Sequence, residues 1–254
     1  MIYGIERASL LKRIFAAILD VILLSILATG FAFLSAKIAK VDYHQKRVKE
    51  YYAYYETTYN VKFGLTQEDF NRMSEEEKAH YEEVNKIIAQ DKDFIKENSL
   101  VQRLTLYVVL IGLFLGTLIV EFVIPLFLKN GQTVGKKVFS LCLVRKDAVK
   151  VTSVQLFARS IIGKFALEMM APAYLIISIV YGFNGLVGLI LVGAITIIQI
   201  VLLIATKNKT LIHDLIALTV VVDKQSQMIF ESEQDLIKYK EKVHLESVKN
   251  SKTI

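Results

Sequence analysis

Apolar and polar residues are segregated along this chain into long blocks. Residues 14–34 form an apolar run broken by Asp20, and residues 104–128, 154–181 and 186–206 are similar blocks. About 20 apolar residues at 1.5 Å each match a bilayer core of about 30 Å. The pattern predicts an all-α membrane protein, a four-helix transmembrane bundle. The first run exceeds the 7–15-residue core of a cleaved signal, and Asp20 interrupts it, so a retained span is expected. A carboxylate at such depth costs a few kcal/mol on insertion scales. It therefore calls for a partner, a proton or a water-filled cavity.

Between the first two apolar blocks, residues 37–103 are polar and carry Tyr43, Tyr51, Tyr52, Tyr54, Tyr55 and Tyr59. Ser74 followed by Glu77 is a capping box, and the run from Glu75 to about Glu97 reads as a charged helix with Tyr81, Val84, Ile87 and Ile88 at partial apolar spacing. This loop is expected to be a helical hairpin extending spans one and two. Its tyrosines either pack within the hairpin or offer a docking surface. Residues 138–144 and 149–152 are β-branched runs around Arg145 and Asp147, as in a short hairpin. Residues 219–222 are a third strand candidate. They are expected to pair with part of 138–144 and to bring Asp214 near the Gly131–Gly135 turn, there to accept its N–H groups or pair with Lys136 or Lys137. The organisation is thus residues 1–36 (N-terminus and first span), 37–103 (helical loop), 104–223 (three further membrane segments with a β loop) and 224–254 (a charged tail).

Charge orients these blocks. Lys12 and Arg13 precede span one, six basic residues and one acid lie in 129–153, Lys207 and Lys209 follow span four, and the link 182–185 is uncharged. Positive residues mark the cytoplasmic side, so both termini and the β element are expected inside and the hairpin outside. The net charge of +6 mostly follows from these edges and is read as topology and attraction to lipid headgroups rather than nucleic-acid binding. Cys142 is the sole cysteine, so no intrachain disulfide and no thiolate metal cluster is expected. Gly131–Lys137 is basic and glycine-punctuated, but it has three residues between its glycines and Lys137 where a phosphate-binding loop needs four and a Ser or Thr.

Several of these pieces together resemble the RDD family of bacterial membrane proteins, named for one arginine and two aspartates. Arg13 and Asp20 match the family's Arg and Asp of the first span. Gly131, Gln132, Thr133, Gly135, Lys136 and Lys137 match its Gly-Gln-Thr-x-Gly-Lys-Lys element. Gln155 and Arg159 resemble its Gln and Arg four apart, and His213, Asp214, Ala217, Thr219 and Val221 its closing element. The long loop 37–103 departs from the family's short link, and Leu218 stands where the family commonly has Gly. The resemblance implies a multi-pass protein of the bacterial plasma membrane, for which transport of unidentified ligands is the usual suggestion.

Depth along the spans brings Asp20, Glu121, Arg159 and Lys164 into one cytoplasmic-side layer, with Glu168 deeper. Arg13 and Asp20, seven apart, share a helix face, and Ala16 and Ala17 between them leave room for a close neighbour. Lys164 and Glu168 have pairing distance i,i+4. Three acids against two bases leave one surplus carboxylate. These groups either neutralise one another structurally or form a site that handles a proton or cation. His213 and Asp214, adjacent on a helix, do not face each other and make a poor dyad. No catalytic set, metal set or cofactor loop is expected. Two function classes remain: a transporter or transporter subunit for a proton, cation or small solute, and a non-transporting accessory, scaffold or immunity-type protein reading a partner through 37–103. Four spans are few for a transport path, so a homo-oligomer or membrane complex is expected.

Overall fold

The computed structural model describes residues 5–6, 8–170, 173, 177, 185–206 and 209–251. Most of the distal half of the expected third span, Lys207 and nearly all of the 182–185 link lie outside the described residues. The chain divides into two compact units, Met1–Ala28 with Leu113–Ile254, and Thr29–Gly112.

Among the described residues two helical stretches are long and apolar enough to cross a membrane, Leu10–Ile38 and Lys92–Phe127. The first, α1 (Leu10–Ile38), buries Ala16, Asp20, Leu24 and Ala28, a stripe repeating every four residues. Phe15, Ile18, Val21, Ile22 and Ile26 around it are exposed, an apolar surface that suits lipid rather than water. The second consists of α5 (Lys92–Thr117), a π-helical turn π1 (Leu118–Val123) and α6 (Ile124–Phe127). Pro125 has no N–H to offer the carbonyl four residues back, that of Glu121, which favours the wider turn there. A further apolar helix, Gly185–Ala205, has Ile197, Ile200, Val201 and Ile204 exposed.

The third expected span begins differently. Thr152 and Gln155 form a capping box for the helix Ser153–Phe157, and the chain continues as a π-helix, π2 (Ala158–Glu168). It is not a straight α-helix up to Glu168.

The predicted β element is present. β1 (Leu141–Arg145) and β2 (Thr219–Asp223) pair antiparallel, with Leu143 opposite Val221. The expected strand from 138 starts later, because Val134–Val138 forms a helical turn capped by the Thr133 hydroxyl, which accepts the Lys136 N–H. Residues 149–152 supply only bridges, Val144 to Lys150 and Val149 to Phe230. Side chains alternate across the sheet. Leu141, Leu143 and Val221 pack with Ala16 and Leu156, while Cys142, Val144, Val220 and Val222 pack with Ile5 and Ile229.

The second unit is the expected helical insert. Helices α2 (Val41–Tyr59), α3 (Gln67–Arg72) and α4 (Glu75–Ile88) accompany a core of Tyr55, Val84, Ile88 and Phe94, with Tyr51, Tyr52 and Tyr59 against it. Tyr43 and Tyr54 are exposed. The Ser74–Glu77 capping box forms. The helix expected to run on to Glu97 stops at Ile88. Asp91 then accepts the N–H groups of Asp93 and Phe94 and starts α5.

Candidate functional site

In the first unit, elements far apart in sequence meet in one buried charged cluster. Asp20, on the buried stripe of α1, accepts the Thr133 hydroxyl at 2.5 Å and the Gly135 N–H at 2.8 Å. A Cβ on Gly135 would lie 2.1 Å from the Ala16 carbonyl oxygen and 2.9 Å from the Asp20 carboxyl carbon, so no side chain fits there. The space left by Ala16 therefore admits the short helical turn Val134–Val138. Lys136 is buried, with its Nζ 3.1 Å from the Thr133 hydroxyl, 3.8 Å from Asp20 and 4.0 Å from Glu121. Lys137 beside it is exposed.

Asp214 lies in the short helix Ile212–Ile216 just before β2. Arg159 donates to its Oδ1 from Nε at 3.0 Å and sets Nη2 2.8 Å from the same oxygen as an ion pair, and the Thr219 hydroxyl adds a bond at 3.2 Å. Arg13 Nη2 stands 3.7 Å from Oδ2, while Arg13 Nη1 donates to the Lys209 carbonyl at 2.8 Å. Oδ2 itself is buried and accepts no hydrogen bond among the described residues. Burial pushes this carboxyl up, but the charges of Arg159, His213 and Arg13 outweigh it and hold Asp214 well below the usual range.

The two aspartates thus exchange the roles expected of them. Asp20, not Asp214, binds the glycine turn and neighbours Lys136; Asp214 instead joins the two arginines. The i,i+4 pairing of Lys164 with Glu168 is also replaced. Lys164 makes a short ion pair with Glu121, and Glu168 accepts the His213 N–H at 3.1 Å and contacts its ring Nδ1 at 2.6 Å. The wide turns of π2 alter the angular spacing on which that pairing rested. His213 and Asp214 approach each other after all, Nε2 to Oδ2 at 3.6 Å. Burial lowers the His213 pKa, Arg159 adds to this, and Asp214 and Glu168 oppose it.

All five intramembrane charges proposed from sequence, Asp20, Glu121, Arg159, Lys164 and Glu168, belong to this cluster. Arg13, Lys136 and Asp214 complete it. Among the described residues Asp20, Glu121, Glu168 and Asp214 then equal Arg13, Lys136, Arg159 and Lys164 in number, so no carboxylate is in surplus, although both arginines face Asp214 and Glu168 is met by His213. Two participants escaped the sequence reading. Gly163 admits the backbone of His213, since a Cβ there would lie 2.6 Å from the His213 Cβ. The Lys209 carbonyl binds Arg13, while Thr219 of the closing element binds Asp214. Neither Gly163 nor the Lys209 carbonyl has a local signature. The remaining motif residues are stitches: Gln132 donates to the Leu141 carbonyl at 2.6 Å, Gln155 to the Ala217 carbonyl at 3.0 Å, and Gly131 turns the chain at φ +59° with Val151 and Leu156 where a side chain would go.

Beside the cluster lies a cavity of about 230 Å³. Its walls include the charged groups of Arg13, Asp20, Glu121, Lys136, Arg159 and Lys164, and apolar side chains such as Leu10, Leu203 and Leu211.

Apolar helices with uncovered faces, enclosing a charge-balanced cluster and a small cavity, define a membrane-type helical protein. The chain belongs to the RDD family, whose model matches residues 7–218. No curated protein and no solved structure matches the chain.

Proposed function

We propose that this protein is a multi-pass transporter, or a transporter subunit, for a small solute, with both termini and the β element on the cytoplasmic side. The observation that carries the reading is the cavity, walled by ionisable groups from four separate segments, next to helices that present apolar faces outward. Intramembrane ionisable groups that line a cavity mark solute and ion paths. The pairing pattern favours a small solute over a bare proton or cation, because every carboxylate already has a cation or a backbone donor. The role is one of binding and passage, not catalysis, and a complete path through so few spans calls for an oligomer or a partner subunit.

A second reading has its own support. The unit Thr29–Gly112 has a core of its own and exposes Tyr43 and Tyr54, as an accessory or immunity-type protein would when it binds a partner through this insert.

Uptake into proteoliposomes separates the two. Radiolabelled amino acids, radiolabelled sodium and an internal pH-sensitive dye cover solute, cation and proton. Uptake of one class by the wild type, lost in Arg159→Gln, is the expected result. Folded wild-type protein that moves none of the three rejects transport and leaves the partner-binding reading.

A further inference from the structure

Resting on the transport reading, we propose that the cavity takes a small zwitterion, a solute neutral overall that carries one cationic and one anionic group, of about amino-acid size. The first ground is charge balance. Among the described residues the cluster holds four carboxylates and four bases, and an ion entering alone would leave uncompensated charge in a desolvated site, which is strongly disfavoured. A solute that brings both signs leaves the balance intact.

The second ground is where unused bonding capacity lies. Arg159 donates from Nε to Oδ1 of Asp214 and holds Nη2 2.8 Å from that same oxygen. Arg13 lines the cavity with one bond to the Lys209 carbonyl and its other terminal nitrogen 3.7 Å from Asp214. Two arginines thus share one carboxylate and keep donors for a second, in the planar geometry that suits carboxylates. Toward the other charged group, Lys164 binds Glu121 through Oε1, and Oε2 has only Lys136 at 4.0 Å. That oxygen is an acceptor without a hydrogen bond among the described residues, on a residue that lines the same cavity. An ammonium group at Glu121 and a carboxylate at the arginines are thus both provided for.

The third ground is size. At about 230 Å³ the cavity falls below the roughly 300–1,000 Å³ of clefts that hold drug-sized ligands, and exceeds many times the about 10–15 Å³ that one water requires. Leu10, Leu203 and Leu211 add apolar wall, so a short hydrocarbon skeleton between the two charged groups is accommodated.

The test is a calorimetric titration of the full-length protein in lipid nanodiscs at constant ionic strength. Alanine and γ-aminobutyrate are compared with propionate and propylamine, which carry one of the two charges on a skeleton of similar size. A zwitterion should bind at least tenfold more tightly than either single ion, and Arg13→Gln should weaken it at least tenfold. Wild-type protein alone decides the comparison of ligands, so a variant that fails to fold does not obscure it. Propionate or propylamine binding as tightly as the zwitterions overturns this proposal and leaves a solute-binding cavity. No heat from any of the four overturns the proposal and removes the binding basis of the transport reading as well.

Discussion

Asp20 accepts the backbone N–H of Gly135 from 115 positions away in the chain. Two motif elements therefore form one contact, and position 135 has space only for hydrogen. Gly135→Ala should lower stability by about 3 kcal/mol or more, from overpacking plus loss of a charged hydrogen bond. Gly30, with nothing within 4 Å of its Cβ position, is the control. Gly30→Ala should change stability by less than about 1 kcal/mol, in the stabilising direction. Thermal unfolding in detergent reads both, and equal effects would count against the close approach.

Neutralising the two aspartates should not have equal effects. Asp214→Asn leaves Arg159 and Arg13 without their carboxylate, and breaking a buried pair typically costs about 3–5 kcal/mol. Asp20→Asn retains an acceptor for the Gly135 N–H and leaves Lys136 its Glu121, but the Thr133 hydroxyl, which already accepts from Lys136 N and Nζ, loses its own acceptor. Its loss should be about 1–3 kcal/mol. An Asp20→Asn protein that is the less stable of the two would contradict the assignment of roles.

Leu218 sits at φ +54° with an exposed side chain, at the position where the family pattern commonly has glycine. Little packing is lost by removing it. Leu218→Gly should stabilise by about 0.5–1 kcal/mol, seen as a higher midpoint with the charged cluster unchanged.

In the insert, the Tyr55 hydroxyl donates to Asp91 at 2.8 Å. Burial, aided by Asp91, pushes the Tyr55 pKa up from 10.0 to about 12. The Phe94 N–H and then the Tyr55 hydroxyl lower that of Asp91 from 3.8. A raised tyrosine contributes stability that is complete below pH 10 and lost as pH rises through about 12. A depressed carboxylate contributes stability present above 3.8 and lost as pH falls through its lowered value. The insert should therefore be steady from about pH 4 to 10 and loosen on either side. Tyr55→Phe should abolish the alkaline limb of a circular-dichroism pH titration. Survival of that limb would assign it to another group.

Cys142 is fully buried in the sheet, so the wild-type protein should stay unlabelled by a membrane-impermeant maleimide. Against that silent background, a cysteine placed at Glu75 should label from outside intact cells and one at Asp147 should not. The reverse pattern would invert the proposed topology.

Local pattern foretold a good part of this fold. Apolar runs marked α1, α5 and Gly185–Ala205, the Ser74–Glu77 spacing marked a helix start, and β-branched runs gave the pairing of residues 219–222 with 141–144. The site's membership was legible too, since charges inside apolar blocks stand out. Its wiring was not. Arg159 and Lys164 look equivalent in sequence, yet one serves Asp214 and the other Glu121, because the pairing depends on the wide turns of π1 and π2. Neither wide turn has a distinct periodicity, although Pro125 hinted at the first. The break at residues 89–91 was missed because Asp91, a helix start in effect, lies within a charged stretch that reads as continuous helix.

The bond from Arg13 to the Lys209 carbonyl closes 196 positions of chain. At about 5–20 residues per second, translation needs about 10–40 s to supply the second partner after the first. Throughout that interval Arg13 belongs to an element already made, while its carbonyl and its aspartate have yet to be synthesised. The charged cluster is thus a late event in biogenesis, completed only when residues 209–214 join the elements made before them. A ribosome stalled before residue 214 would hold a chain whose two arginines have yet to meet their carboxylate.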